Sequence, residues 1–385
     1  MRTLICGAGI AGLTLAWWLR RQGGEVVLVE KAPGPRSDGY AMDFFGSGYD
    51  VVERMGLLDE LHAIAGDFSG LQYLTPAGRP AGGLPYPAFR RVFNNRVVSI
   101  MRGNLERMLR IALDTEIRYG MSVAEFADHP DGVEVATTDG AVERFDLLVG
   151  ADGIHSTVRA QLFGPEERFL RPLGFHTASY MFEDAGLADR IGRKFAMVAL
   201  PGRMVGLYPA GPGRLAASLT HADPGDLPED PRRRIREVYA GMGGLVDRAL
   251  RHCPADPYYD TVAQIRLTGW HRGSATLVGD ACQAVSLMAG QGSSMAMGGA
   301  YVLAEELASG GWRDMPAALA RYEQRMAPFV AQKQEIGRNT ARWMVPARQW
   351  EINVRNTVMG LGALPGGAAL MGRSMRGLAR SVVTA

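Results

Sequence analysis

The first thirty residues constrain the chain most. Arg2–Cys6 is a short apolar run that turns through Gly7-Ala8-Gly9-Ile10-Ala11-Gly12. The apolar positions that follow, Ile10, Leu13, Ala16, Trp17 and Leu19, fall mostly three and four apart, the period of a helix. Gly23-Gly24 stops that helix, and Glu25–Glu30 reads as a second buried strand ending in an acid. In such a strand–turn–helix–strand unit, Gly7 allows the tight turn and Gly9 lets backbone approach a pyrophosphate. Gly12 lets helix and strand pack closely. Ile10 and Ala11 open the helix, whose free N–H groups and partial positive charge suit phosphates. Glu30, with Lys31 beside it, is placed to accept hydrogen bonds from ribose hydroxyls. The unit predicts dinucleotide binding and by itself does not separate NAD from FAD.

Composition narrows the partners. At 385 residues with 47% apolar side chains, the chain is long enough for a large core. A formal net charge of +2 and the absence of a Lys/Arg block argue against nucleic acid. Cys6, Cys253 and Cys282 show no metal-ligand or CxxC spacing, which fits reduced thiols and a cytoplasmic protein. The apolar start after Arg2 has the look of a signal peptide, but its three glycines and the strand that follows speak against one. No stretch approaches a transmembrane span, so the chain is expected to be soluble.

Downstream patterns predict helices at 48–55, 57–65, 105–113, 231–241, 292–307 and 316–336. Strands are predicted at 71–74, 90–93 and 146–150, with a hairpin of 133–137 and 142–145 turning at Asp139-Gly140. Short strands then dominate: 177–182, 196–200, 205–208, 215–220 and 261–265. A further strand at 275–280 ends in Asp280. The expected fold is α/β, a Rossmann-like domain from 1–72, 98–170 and 268–336. A sheet-rich α+β substrate domain is interleaved at 73–97 and 171–267, and a helical segment follows at 337–385.

Two later segments carry more information. Gly150-Ala151-Asp152-Gly153-Ile154-His155-Ser156-Thr157-Val158-Arg159, and Gly279-Asp280-Ala281 followed by Gly290-Gln291-Gly292, resemble the DG and GD motifs of the para-hydroxybenzoate hydroxylase-like flavin monooxygenases. Arg102-Gly103-Asn104-Leu105 resembles that family's short arginine motif. The stretch from Asp38 to Asp43, continuing to Leu57, looks like the same region of tetracycline destructases and antibiotic-tailoring hydroxylases. An acid at a strand end, as at Asp280, can bind ribityl hydroxyls, and a helix starting at Gly292 can aim its dipole at a reduced flavin ring.

The resemblance implies FAD as cofactor and NAD(P)H as reductant. It implies a flavin C4a-hydroperoxide that oxygenates a bulky polycyclic substrate in antibiotic biosynthesis or resistance. Cofactor contacts would come from Arg36, Asp43, Arg102, Asp152, Asp280, Gly290, Gln291 and Gly292. Met181, Tyr208 and Leu287 would face the substrate; Tyr180, Phe182, Met197 and Met204 supply further aromatic and Met surface on or beside the same strands, where plain core residues would look the same. No metal and no protein nucleophile or general base is assigned; O2 and the small-molecule substrate are the partners, and a membrane is disfavoured. The chain is expected as a monomer or homodimer. Where many members carry histidine, proline and asparagine after the GD acid, this chain has Gln283, Leu287 and Ser294. These departures leave open a cyclase or isomerase with a non-redox flavin, and a resistance flavoprotein that sequesters its ligand. The Arg-rich segment 337–385 is expected to close over the active site.

Overall fold

The computed structural model describes residues 1–35, 40–286, 290–311, 314–362 and 380–384. The N-terminal unit forms as its glycines predict. Arg2–Cys6 pairs parallel with Glu25–Glu30, and the helix Ile10–Arg21 crosses between them. Around this pair a six-stranded sheet grows in the order His271–Arg272, Ala275–Leu277, Leu147–Gly150, Arg2–Cys6, Glu25–Glu30, Ile117–Tyr119. All neighbours are parallel except the first two strands. Leu147–Gly150 is buried along its whole length, as its unbroken apolar run requires of a strand covered on both faces. On one face lie the helices Ile10–Arg21, Arg102–Leu113 and Gly292–Glu306. On the other lie the helix Thr157–Phe163 and a three-stranded antiparallel sheet, Val123–His129, Gly132–Thr137 and Val142–Phe145. Gly132–Thr137 alternates buried and half-buried residues, the mark of a strand with one face on the core.

A second, seven-stranded sheet runs Tyr258–Ile265, Leu170–Glu183, Arg214–Ala222, Arg203–Gly211, Lys194–Leu200, Gly70–Leu74, Pro80–Pro85. Only Gly70–Leu74 and Lys194–Leu200 pair parallel. Its alternation is strict enough to sort side chains by face. Ala178, Tyr180, Phe182, Ala196, Val198, Leu215, Ala217 and Leu219 pack with Tyr239, Leu245 and Val246 of the helices Pro231–Tyr239 and Gly244–Arg251. Met181, Met197, Met204, Tyr208 and Ala216 occupy the opposite face. Tyr180 and Phe182 therefore take the core alternative, packed on the helix side of this sheet. A two-stranded ribbon, Ala41–Phe45 with Val97–Met101, meets the inner face.

The segment 90–93, expected as a strand, belongs to the helix Tyr86–Val92. A four-residue apolar pattern does not separate the two states, and the turn at Asn94 and Asn95, both with positive φ, ends the helix. The strand expected to reach Asp280 stops at Leu277. Gly279 (φ 66°) turns the chain, and Asp280 opens the short helix Asp280–Gln283. The helix predicted at 316–336 extends over Met315–Met344 through Pro328. Beyond it, the helix Gln349–Gly362 docks on Pro80–Pro85 and Lys194–Leu200. The chain then returns to the first sheet's helices: the Val382 N–H donates to Ser47 Oγ (3.0 Å), and Arg54 donates to the Val383 carbonyl (3.1 Å).

Candidate cofactor and active site

A cavity of about 600 Å³ opens beside the glycine turn. Three separated stretches converge on it: residues 6–11, 151–155, and Asp280 with Gly292 and Ser293. The arginine motif contributes Arg102, Gly103 and Asn104, and the end of the second strand contributes Glu30 and Lys31.

The glycines are required by contact as well as by torsion. A Cβ on Gly7 (φ 111°) would stand 2.4 Å from the Ala151 carbonyl oxygen, and one on Gly12 would stand 1.9 Å from the Gly7 carbonyl oxygen. Gly9 differs: the nearest atom to its Cβ position is Arg102 Nη2 at 4.0 Å, so its open side faces the cavity. Glu30 is tied to this turn. Its carboxylate accepts from the Ala8 N–H and the Ala32 N–H, both at 2.9 Å.

Asp152 lines the cavity, but its carboxylate also ties down the next helix. It accepts from Ser156 Oγ (2.5 Å) and from the backbone N–H groups of Thr157 (2.8 Å) and Val158 (3.1 Å). Ser156 in turn caps the Arg159 N–H. Fully buried Arg159 spans the two motifs, donating to the Ala281 carbonyl (3.0 Å) and to Glu166 (2.9 Å). The acid of one motif is thereby held at a fixed distance from the acid of the other.

Asp280 opens onto the cavity, exposed to its space although many protein atoms surround it. Burial raises its carboxyl above the ordinary carboxylate range, and the nearby Arg102 guanidinium pulls the other way. Arg102 pairs with Glu106 at 3.2 Å. Asp43 does not line the cavity. It sits in the two-stranded ribbon, bonded to the Ser99 hydroxyl, and burial raises it as well.

Of the remaining expected residues, Gly12 packs behind the turn rather than on the cavity. Gly290 (φ 62°) is exposed, and Gln291 is buried behind the helix start. Met181 is half-buried on the inner face of the larger sheet. Tyr208 is fully buried, stacked on Phe195 at 4.1 Å, and its hydroxyl accepts from the Ala41 N–H (3.1 Å). Arg36 and Leu287 lie outside the described residues, as do Gly39 and residues 363–379. Ser294, at the position of the missing asparagine, donates to the Phe45 carbonyl (2.7 Å) and does not face the cavity.

Sequence reasoning missed one cluster on the cavity wall. His155 Nδ1 contacts Glu166 at 2.9 Å and Nε2 contacts Asp260 at 3.4 Å, and these acids, Asp260 first, raise the imidazole to about 9. Tyr258, half exposed, lines the cavity with its hydroxyl on Asp260 (3.3 Å). Nothing in the local sequence around 258–260 announces a site. Only the docking of the larger sheet's edge strand brings it there.

The family model for an FAD binding domain matches residues 1–335. The chain belongs to this FAD-binding family. The flavoprotein is 29% identical to the FAD-dependent monooxygenase asL4 of Sarocladium schorii over 94% of its own length and 93% of the relative's. It is 30% identical to a flavin-dependent monooxygenase from an unknown prokaryotic organism, with 87% and 88% covered. Among solved structures it superimposes on tetracycline destructase Tet(55) with a TM-score of 0.82 and 26% identity, covering 99% of this chain and 97% of that one. It is a flavoprotein monooxygenase. No helix among the described residues is long and apolar enough to cross a membrane.

Proposed function

We propose that this flavoprotein uses NAD(P)H and O2 to oxygenate a bulky, polycyclic small molecule of the polyketide or antibiotic type. The observation that carries the reading is the convergence of the glycine turn, the Asp152 loop and Asp280 on one cavity, with Tyr258 and Asp260 of the larger sheet's edge strand on its wall. The donors suit FAD end to end. Gly9 leaves room for a pyrophosphate at the helix N-terminus, and Glu30, on the cavity wall, would accept from the adenosine ribose. Asp280 would accept from ribityl hydroxyls, Arg102 would add positive charge for the phosphates, and Gly292 would offer a helix N-terminus to the flavin ring. FAD, held by these residues, would supply the redox chemistry of hydride acceptance and O2 activation.

The chain's own work is binding and exclusion of water. One glycine turn of this type is present in the sequence, so NAD(P)H is expected to bind transiently across the Asp152–His155 loop and Arg36 rather than in a second domain. Residues 73–97 and 171–267 would form the substrate roof, with Met181, Tyr208 and Leu287 toward the substrate and 337–385 closing it. A relative named for destroying tetracycline supports a multi-ring substrate. The test is NADPH consumption across a panel of polycyclic phenols, with product analysed after turnover under labelled O2. Substrate-stimulated oxidation with one labelled atom in the product supports the proposal. Product formed without O2 or reductant overturns it in favour of a cyclase or isomerase, and ligand recovered unchanged points to sequestration.

A further inference from the structure

The long helix Met315–Met344 underlies the GD segment along its length. Its Tyr322 hydroxyl donates to the Leu277 carbonyl (3.1 Å) and receives the Gln283 amide (2.6 Å). About three turns further along, Gln334 donates to the carbonyls of Ile265 (2.7 Å) and Ala284 (3.0 Å). Beside Gln334 sits Lys333, 1% exposed, whose ammonium donates to Gln291 Oε1 at 3.3 Å. Gln291 is itself 1% exposed, and its carbonyl takes the first hydrogen bond of the helix Gly292–Glu306 from the Met295 N–H. Gly292, Ser293 and Ala296 of that helix face the cofactor cavity.

A buried cation at this place is unusual physically. A helix N-terminus already carries about half a positive charge, and a cation set behind it raises the potential further. Burial opposes the charged amine and lowers Lys333 to about 8, with Arg380 pulling the same way. That raised potential favours a negative group in front of the helix end, inside a low-dielectric site. With FAD in the cavity, the group there that can become negative is the reduced ring.

We infer that Lys333 is a positioning residue for the flavin: it holds Gln291 and the turn at 290–292, and its charge favours the anionic reduced ring over the oxidised one. The inference rests on FAD binding alone and is indifferent to the identity of the substrate.

The test is the midpoint potential of substrate-free, FAD-loaded protein, measured against reference dyes. Lys333→Met is expected to bind reduced FAD about tenfold less tightly relative to oxidised FAD, a shift of about 30 mV to more negative potential for a two-electron couple. Lys333→Gln keeps a donor for Gln291 but lacks the charge, and is expected to shift the same way. Lys333→Arg is expected to return the potential to that of the unmodified protein. A Gln variant with unchanged potential overturns the inference and leaves Lys333 a hydrogen-bonding support. If the Met variant does not fold, the Gln and Arg variants decide the matter. Failure of the substrate proposal would leave all of these potentials where they are.

Discussion

At the residue scale, two neighbouring glycines should behave in opposite ways. Gly12→Ala places a methyl 1.9 Å from a backbone oxygen that cannot move without opening the first turn. The expected cost is about 3 kcal/mol or more, read as a lowered melting temperature or an insoluble protein. Gly9→Ala meets nothing nearer than 4.0 Å, so the chain should fold with an ordinary circular dichroism spectrum yet bind FAD poorly, because the methyl occupies the cofactor's space. A Gly9→Ala protein that retains full flavin absorbance would remove the turn from the binding site. Asp280→Ala removes the acid that opens onto the cavity and is expected to weaken FAD by about 10- to 100-fold, the loss of one or two hydrogen bonds to a charged acceptor. Flavin content after desalting measures it, and a fully yellow variant would assign Asp280 a purely structural place.

At the element scale, what joins the two sheets at the cavity rim is an ion cluster. His155, after the Leu147–Gly150 strand, bridges Glu166 and Asp260, the latter on the edge strand Tyr258–Ile265 of the larger sheet. Because the folded imidazole is raised to about 9, its contribution is complete below its unfolded value near 6.5 and disappears as pH climbs through about 9. The ring is about half exposed, so screening holds the effect to about 1 kcal/mol. The melting temperature of the wild-type chain is expected to fall from pH 6.5 to 9.5 by more than that of His155→Gln. Parallel curves would show that the bridge contributes nothing. This junction also shows where sequence reading ends. The glycine turn and the Asp152 loop were legible because each is a local backbone requirement: positive φ, close approach, a helix start; at Asp280 the acid was legible but the turn at Gly279 that presents it was read as strand. The strand alternation of 196–200 and 215–220 was legible for the same reason. Tyr258, Asp260 and the use of Asp152 as a helix cap were not, since they depend on which strand ends at which edge. Whether Tyr180 and Phe182 were core or pocket residues was not legible either: period two says that neighbours face opposite ways, not which face is inward.

At the scale of the whole molecule, the C-terminal helix and the cofactor cradle are separable. Gln349–Gly362 closes the far edge of the larger sheet, where a Cβ on Gly82 would stand 2.3 Å from the Asn356 carbonyl oxygen. Its anchor is Arg355, fully buried, set 4.2 Å from the centre of the Tyr73 ring and donating to the Met344 carbonyl at 2.7 Å. Stacking on an aromatic face and a bond to a helix-end carbonyl make an arginine stable here without an acid. Arg355→Ala removes both and leaves a void beside Tyr73, so the helix is expected to loosen by about 2–4 kcal/mol. None of the residues lining the cofactor cavity belongs to this segment. Limited proteolysis should therefore cut the variant faster between 346 and 362, while its FAD content stays at the wild-type level. If flavin is lost together with the helix, the two ends of the molecule fold as one unit and the cradle depends on the C-terminal docking. If neither changes, Arg355 is a tolerated core residue and the apolar contacts of Ile352 alone hold the helix in place.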